Sequence, residues 1–466
     1  MMEDFSIEAL RRIVGERGVI TDEADLAPFC TDWRGMFKGR ARCAVLPRCT
    51  AEVAAVVRLC VAAGVPIVPH GGNTGLSGGA TPDASGEQVI LSLSRMSAIR
   101  SLDVIGETME VEAGCILQVA QEAAADAGLL LPITLAAEGS ARVGGILSTN
   151  AGGTNVLRYG MARGRVLGLE VVTADGSIVS GLRQLRKDNA GYDWKQLFIG
   201  TEGTLGIITA AVLQLAPKSR QRVTALLAVP SADDALAVLR LARQAIGETL
   251  NAFELMSGPA LELVARHVGL TTPLAPAPWY VLLEASSSLP SLRDAVEEML
   301  ADVLERGAAS DGVIAESEKQ ERELWHLRES ITEAEAREGR SIKHDVSVPI
   351  ALIPAFLRVA DEAVMKAFPQ ARINAFGHAG DGNIHYNVII PPDADSQALN
   401  CLVHDLVVAH GGSISAEHGI GQYRVDELHR CRSAPELELA RRIKLALDPA
   451  GLMNPGKVLP QTIVTG

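Results

Sequence analysis

Apolar positions along the chain fall into two rhythms. Residues 51–63 are almost wholly apolar, with Thr50 as a cap, Glu52 in the first turn and Gly64 as the stop, which predicts a helix. Helical patterns also cover residues 7–18, 116–128, 232–245, 260–267 and 292–305, and a polar one runs from about Glu318 to Gly339. Short apolar or alternating runs predict strands at 65–69, 89–93, 108–113, 166–173, 178–180, 223–229 and 279–283, with another ending at Leu215. The pattern shifts near Ala216-Pro217-Lys218, after which strands and helices alternate as in an α+β domain with antiparallel strands. The expected organisation is a first domain over 1–216, a second over 217–430, and a turn-rich C-terminal segment over 431–466 that returns to the first.

A chain of 466 residues, 47% hydrophobic and 21% charged, can bury the cores of two or three such domains. Its net charge of −13 argues against nucleic acid or an anionic membrane as a general partner. Seven cysteines (30, 43, 49, 60, 115, 401 and 431) lie scattered without a C-x-x-C pair and read as free thiols. The first residues lack a signal-peptide pattern, and no apolar run approaches the roughly 18–20 residues of a membrane span. These features lead to the expectation of a cytoplasmic protein.

The densest chemistry lies in Phe376-Gly-His378-Ala-Gly-Asp-Gly-Asn-Ile-His385-Tyr-Asn387, followed by Ser415-Ala-Glu417-His418-Gly. Asp381-Gly382 is a strong two-residue hairpin signal between strands at 373–376 and 384–390. That turn sets His378 opposite His385, with Cβ atoms about 4.5–5.5 Å apart, and puts Asn387 on the same face as His385. Two imidazoles and a carboxylate make an open, catalytic kind of metal site, since a structural zinc site is closed by four protein ligands. His418 beside it has the properties of a base. This donor set serves metal-dependent hydrolysis as readily as redox chemistry.

Three glycine-rich blocks lie upstream: His70-Gly71-Gly72-Asn73-Thr74-Gly75-Leu76-Ser77-Gly78-Gly79, residues 138–155, and Ile199-Gly200-Thr201-Glu202-Gly203-Thr204-Leu205-Gly206-Ile207-Ile208. Neither G-x-G-x-x-G opening a helix after a strand nor G-x-x-x-x-G-K-[ST] is present, which excludes the Rossmann and P-loop patterns. Glycines let backbone N–H groups approach phosphate oxygens, and three such blocks favour a long phosphate-bearing cofactor.

These blocks, with Arg186-Lys-Asp-Asn-Ala-Gly-Tyr192, the His378/His385 segment, Ser415-Ala-Glu-His-Gly419 and Met453-Asn-Pro-Gly-Lys457, resemble the FAD-dependent D-2-hydroxyacid dehydrogenases of the vanillyl-alcohol oxidase flavoprotein superfamily. The likeness runs in order from about Ala44 to Pro460. It implies a two-subdomain FAD-binding domain of the vanillyl-alcohol oxidase/PCMH type and an α+β substrate domain with an antiparallel sheet. It implies that Gly71, Gly72, Asn73, Thr74, Gly75, Leu76 and Gly79 cradle the FAD pyrophosphate. Pro132, Gly139, Ser140, Gly144, Gly145, Ser148, Asn150, Gly152 and Gly153 would line flavin and adenine. Glu202, Gly203, Gly206 and Ile208 would continue that wall, and Asn454 would close it. Covalent relatives often carry a histidine after the Gly-Gly pair, and Asn73 stands there, so the expected FAD is non-covalent.

The same resemblance makes His378, His385 and Glu417 the ligands of one divalent metal, with zinc the best match, and His418 the base. Arg328, Thr332, Lys343 and Asn387 would contact substrate, and on a continuous helix Arg328 and Thr332 share a face. Two cations at the far end favour a dicarboxylate such as 2-hydroxyglutarate or malate over lactate. Reoxidation by a quinone or an electron-transfer flavoprotein is expected in the absence of a nicotinamide motif, and a homodimer fits as well as a monomer. The rivals are a lactate- or glycolate-oxidising flavoenzyme, a non-catalytic flavin carrier, and the flavin-free hydrolase.

Overall fold

In the computed structural model, which describes residues 5–461, strand Gln221–Val229 is buried along nearly its whole length because each face meets a separate core. Val223, Ala225, Leu227 and Val229 enter one core with the helices Ala232–Ala245, Leu292–Glu305, Ile353–Ala367 and Ser396–Ala409. Leu226 and Ala228 enter the other, with Gly258–His267, Glu318–Glu329 and Ile331–Glu338. The strand's two-residue period separates the two sets. The sheet between them is antiparallel throughout, in the order Asp311–Ile314, Gln221–Val229, Trp279–Ser287, Leu250–Ser257, Arg372–Gly377, Asn383–Ile389, Ser341–Ile342, with Asp345–Ser347 also pairing Asn383–Ile389. This unit comprises Gly153–Gly160 and Ser219–Ala416.

The other unit comprises the chain up to Gly152, Met161–Lys218, and the segment from Glu417 onward. It contains a four-stranded sheet ordered Val19–Ile20, Cys43–Val45, Val89–Ser92, Ile67–His70. Its second sheet is antiparallel, ordered Ile99–Asp103, Thr108–Glu112, Gly206–Gln214, Val166–Thr173, Ile178–Gly181. The α+β expectation holds. The units divide after Lys218 and before Glu417, where the sequence suggested 216 and 430, and residues 153–160 go with the second unit.

Two expectations about elements fail. The polar segment is not one helix. Glu318–Glu329 ends at Ser330 and Ile331–Glu338 follows as a separate helix, with Arg328 buried in the first and Thr332 exposed in the second. The Asp381-Gly382 hairpin is not a two-residue type I′ turn. Arg372–Gly377 and Asn383–Ile389 pair with Phe376 opposite His385, leaving a five-residue connection in which only Gly382 has positive φ (97°). No helix among the described residues is long and apolar enough to cross a membrane.

Candidate metal centre and cofactor cradle

The longer turn still delivers both histidines. Phe376 pairs with His385, so His378, two residues past Phe376, keeps the parity of that face. Asn383 N–H donates to His378 O at 3.2 Å and closes the turn. Gly377 (φ 152°) allows this close pass, because a Cβ there would lie 2.6 Å from Asn383 O. The His378 and His385 rings stand 5.5 Å apart at 79°. Ala416 N–H donates to Asp345 O at 3.1 Å, which fixes the chain where Glu417 follows. Ligand atoms of His378, His385 and Glu417 lie within 4.8 Å of one another, and a second group of the same tightness joins Asp345, Glu417 and His418. The sequence-derived triad is therefore assembled, with Asp345 as an addition. Asp345 pairs across the sheet with His385, its Oδ1 lies 3.6 Å from His385 Nδ1, and it accepts a bond from Asn383 Nδ2 at 2.9 Å.

A residue that sequence reasoning missed completes the centre. Strand Leu250–Ser257 pairs Met256 with Phe376 and Leu255 with Gly377, and one further step of that register sets Glu254 opposite His378. Glu254 is fully buried, its Oε1 lies 2.6 Å from His378 Nδ1, and its Oε2 accepts from Arg328 Nε at 2.8 Å. Burial alone would push this carboxyl up, but the His378 and Arg328 charges and hydrogen bonds outweigh it and hold the group at about 2. An ionised Glu254 accepts the Nδ1 proton of His378, and a neutral imidazole held in that tautomer would coordinate a metal through Nε2. Two imidazoles and a carboxylate with that tautomer suit zinc, manganese or cobalt.

Arg328 also lies over the Phe376 ring at 4.8 Å, and its Nη atoms form no hydrogen bond with the described residues. Asn387 points to the same sheet face as His385 but gives its Nδ2 to Glu335 Oε2 at 2.9 Å. Glu335 is fully buried, also accepts from Ser341 Oγ, and has its carboxyl raised by burial, against which Ser341 and the Lys343 charge work. Lys343 is half-buried beside it.

In the other unit the glycine blocks converge. Gly72 packs against Ser140, where a Cβ would lie 2.1 Å from Ser140 O, and Gly71 faces Gly145. A Cβ at Gly145 would meet nothing within 4 Å, so space is open there. Glu202 N–H donates to Ser148 O at 2.7 Å, and Asn454 Nδ2 donates to Gly79 O at 3.0 Å and to Glu202 O at 2.7 Å. Of six non-glycine residues with positive φ among the described residues, four are candidate cofactor positions: Asn73, Asn150, Glu202 and Asn454. Such strained backbone persists where the surroundings over-determine it, as at ligand clamps. Asn454 Oδ1 is buried without a hydrogen-bond partner, an acceptor left for a ligand donor. The cradle thus fits a long cofactor. Some expected residues are turned to other tasks. The Glu202 carboxylate accepts from Ile420 and Gly421 N–H (2.7 and 2.8 Å), Gly206 packs on Phe198, Ile208 is buried in its strand, and Gly139 is exposed.

Comparison with known proteins matches this arrangement. Residues 41–181 match the model of an FAD binding domain and residues 218–458 that of the C-terminal domain of FAD linked oxidases. The chain belongs to the FAD-linked oxidases of the vanillyl-alcohol oxidase superfamily and is an FAD-dependent oxidoreductase. Within it, the chain is 40% identical to the mitochondrial D-2-hydroxyglutarate dehydrogenase of Bos taurus, over 99% of this chain and 84% of that protein. It is 40% identical to the D-2-hydroxyglutarate dehydrogenase of Xanthomonas citri pv. viticola, over 98% of this chain and 97% of that one. A p-cresol methylhydroxylase with substrate bound shares the fold, with a TM-score of 0.77 at 17% identity, over 98% of this chain and 96% of that one. Most relatives of this similarity are described as mitochondrial, which overturns the cytoplasmic expectation.

Proposed function

We propose that the protein oxidises a D-2-hydroxy dicarboxylic acid, with D-2-hydroxyglutarate the best fit and D-malate next, to the 2-oxo acid. The observation that carries this reading is the donor triad His378, His385 and Glu417 with His418 beside it, in a chain that also holds an FAD cradle. A divalent cation such as zinc would supply Lewis acidity toward the substrate's carboxylate and α-hydroxyl, and non-covalent FAD would supply the two-electron acceptor. His418 takes the hydroxyl proton, a general-base role that an imidazole nitrogen can fill. Arg328, through its uncommitted Nη atoms, and Lys343 neutralise the distal carboxylate, while Thr332 and Asn387 supply polar contacts. Gly71, Gly72, Asn73, Thr74, Gly75, Leu76 and Gly79 hold the pyrophosphate of FAD. The blocks around Ser140, Ser148, Asn150 and Gly152, with Glu202, Gly203 and Asn454, hold the rest. Electrons leave to an electron-transfer flavoprotein or a quinone.

The test is anaerobic bleaching of the 450-nm flavin band by a panel of D- and L-2-hydroxy acids. The reading requires fast bleaching by D-2-hydroxyglutarate or D-malate. Preference for D-lactate would overturn the dicarboxylate assignment, and a colourless protein would favour the hydrolase.

A further inference from the structure

We infer that Glu254 is a positioning residue that serves both ends of the substrate at once. The inference rests on the function proposed above and deepens it. One carboxylate oxygen holds His378 Nδ1 (2.6 Å) and the other holds Arg328 Nε (2.8 Å). The carboxylate is fully buried and lies at the centre of the sheet, on strand Leu250–Ser257, which is paired on both sides. Arg328 is clamped from a second direction by the Phe376 ring, and Phe376 precedes His378 by two residues on the same strand face. The metal ligand and the substrate-facing guanidinium are thus tied to one rigid group. The distance between metal and guanidinium sets the length of acid that can bridge them, so Glu254 fixes chain-length selectivity as well as the His378 tautomer. A carboxylate behind a metal-bound histidine fixes that ligand's tautomer and ring orientation. Here the second oxygen extends that control to substrate choice.

The variant Glu254→Gln separates the two tasks. Its amide oxygen still accepts from His378, but its NH₂ faces Arg328 Nε–H, donor against donor. Three readouts are taken on purified flavoprotein: flavin content, Zn²⁺ affinity of the metal-stripped protein against a chromophoric chelator, and the ratio of kcat/KM for a five-carbon hydroxy diacid to that for D-lactate. The expected result is retained flavin, about 10–100-fold weaker Zn²⁺ binding, and a fall in the ratio of at least tenfold. Unchanged Zn²⁺ affinity overturns the inference, and so does weaker Zn²⁺ binding with an unchanged ratio. Should Glu254→Gln fail to fold, Glu254→Gln/Arg328→Met removes the stranded charge. Its Zn²⁺ affinity must then lie about 10-fold or more below that of Arg328→Met alone, and equal affinities overturn the inference. The Zn²⁺ titration needs no turnover, so failure of the proposed reaction, seen as no bleaching of the wild type by any 2-hydroxy acid, is distinguishable from failure of the role given to Glu254.

Discussion

Replacing Arg328 by Met tests the far end of the substrate site in two currencies. In the folded protein Arg328 is buried, bonds Glu254 Oε2 at 2.8 Å through Nε, and lies 4.8 Å over Phe376. Methionine keeps most of the apolar stem and removes the charge. Breaking a buried pair by removing one partner costs about 3–5 kcal/mol. Glu254 keeps His378 on its other oxygen, which places the loss near the lower end, about 3 kcal/mol. At about 2–4 °C per kcal/mol, the unit carrying the site should melt roughly 6–12 °C lower. For catalysis, removing a partner of a desolvated charge pair costs about 2–5 kcal/mol, roughly 30- to several-thousand-fold in kcat/KM for the diacid. D-lactate has no distal carboxylate and should lose far less. The assay is steady-state kinetics on D-2-hydroxyglutarate and D-lactate below the melting range, with Arg328→Lys as a charge-retaining control. Equal losses on both substrates, or a diacid kcat/KM within threefold of wild type, would refute the reasoning.

His418→Ala should keep flavin and metal while turnover falls by about 100-fold or more; near-normal turnover, measured with a dye acceptor, removes His418 from the proton step. Gly72→Ala drives a Cβ to 2.1 Å from Ser140 O, so the purified variant should carry much less FAD by its 450-nm to 280-nm absorbance ratio, and full flavin content would contradict the cradle. Burial of His70 against Phe29 pushes its imidazole down to about 4. Between pH 6.5 and 4 the unfolded chain therefore takes up a proton that the folded protein refuses, and stability is lost as pH falls through that window, by up to about 3 kcal/mol. His70→Gln should flatten the acid limb of the urea midpoint against pH, and an unchanged slope would refute the assignment.

The donor triad was legible in the sequence because its residue types and glycines sit close together in two short segments. The hairpin geometry expected from Asp381-Gly382 differs in detail: the strands pair two residues out of the expected register, and His378 reaches His385 from a five-residue turn rather than from a directly opposed position. Strand parity kept the conclusion, since a shift of two residues, an even number, leaves Phe376 and His378 on the face of His385. The break at Ser330 lacks the strong markers, since residues 318–338 contain neither Gly nor Pro, and only Ser330 with Glu333 three residues on hints at a new helix start. Glu254 was missed for a related reason. Leu250–Ser257 is buried on both faces and shows no alternation, and its Ala, Leu, Met and Glu favour helix as much as strand. The one available signal was a lone carboxylate inside an apolar run. Glu335 and Asp345 take their meaning from partners distant in sequence, Asn387 and His385, and only the folded sheet reveals them.

The central claim is that the triad and the flavin act on one substrate. Its most direct measurement is the anaerobic rate of flavin bleaching by D-2-hydroxyglutarate before chelator treatment, after it, and after Zn²⁺ is restored. The account predicts bleaching that falls by two orders of magnitude or more on chelation, with flavin still bound, and returns with the metal. Bleaching at an undiminished rate in metal-free protein would contradict it.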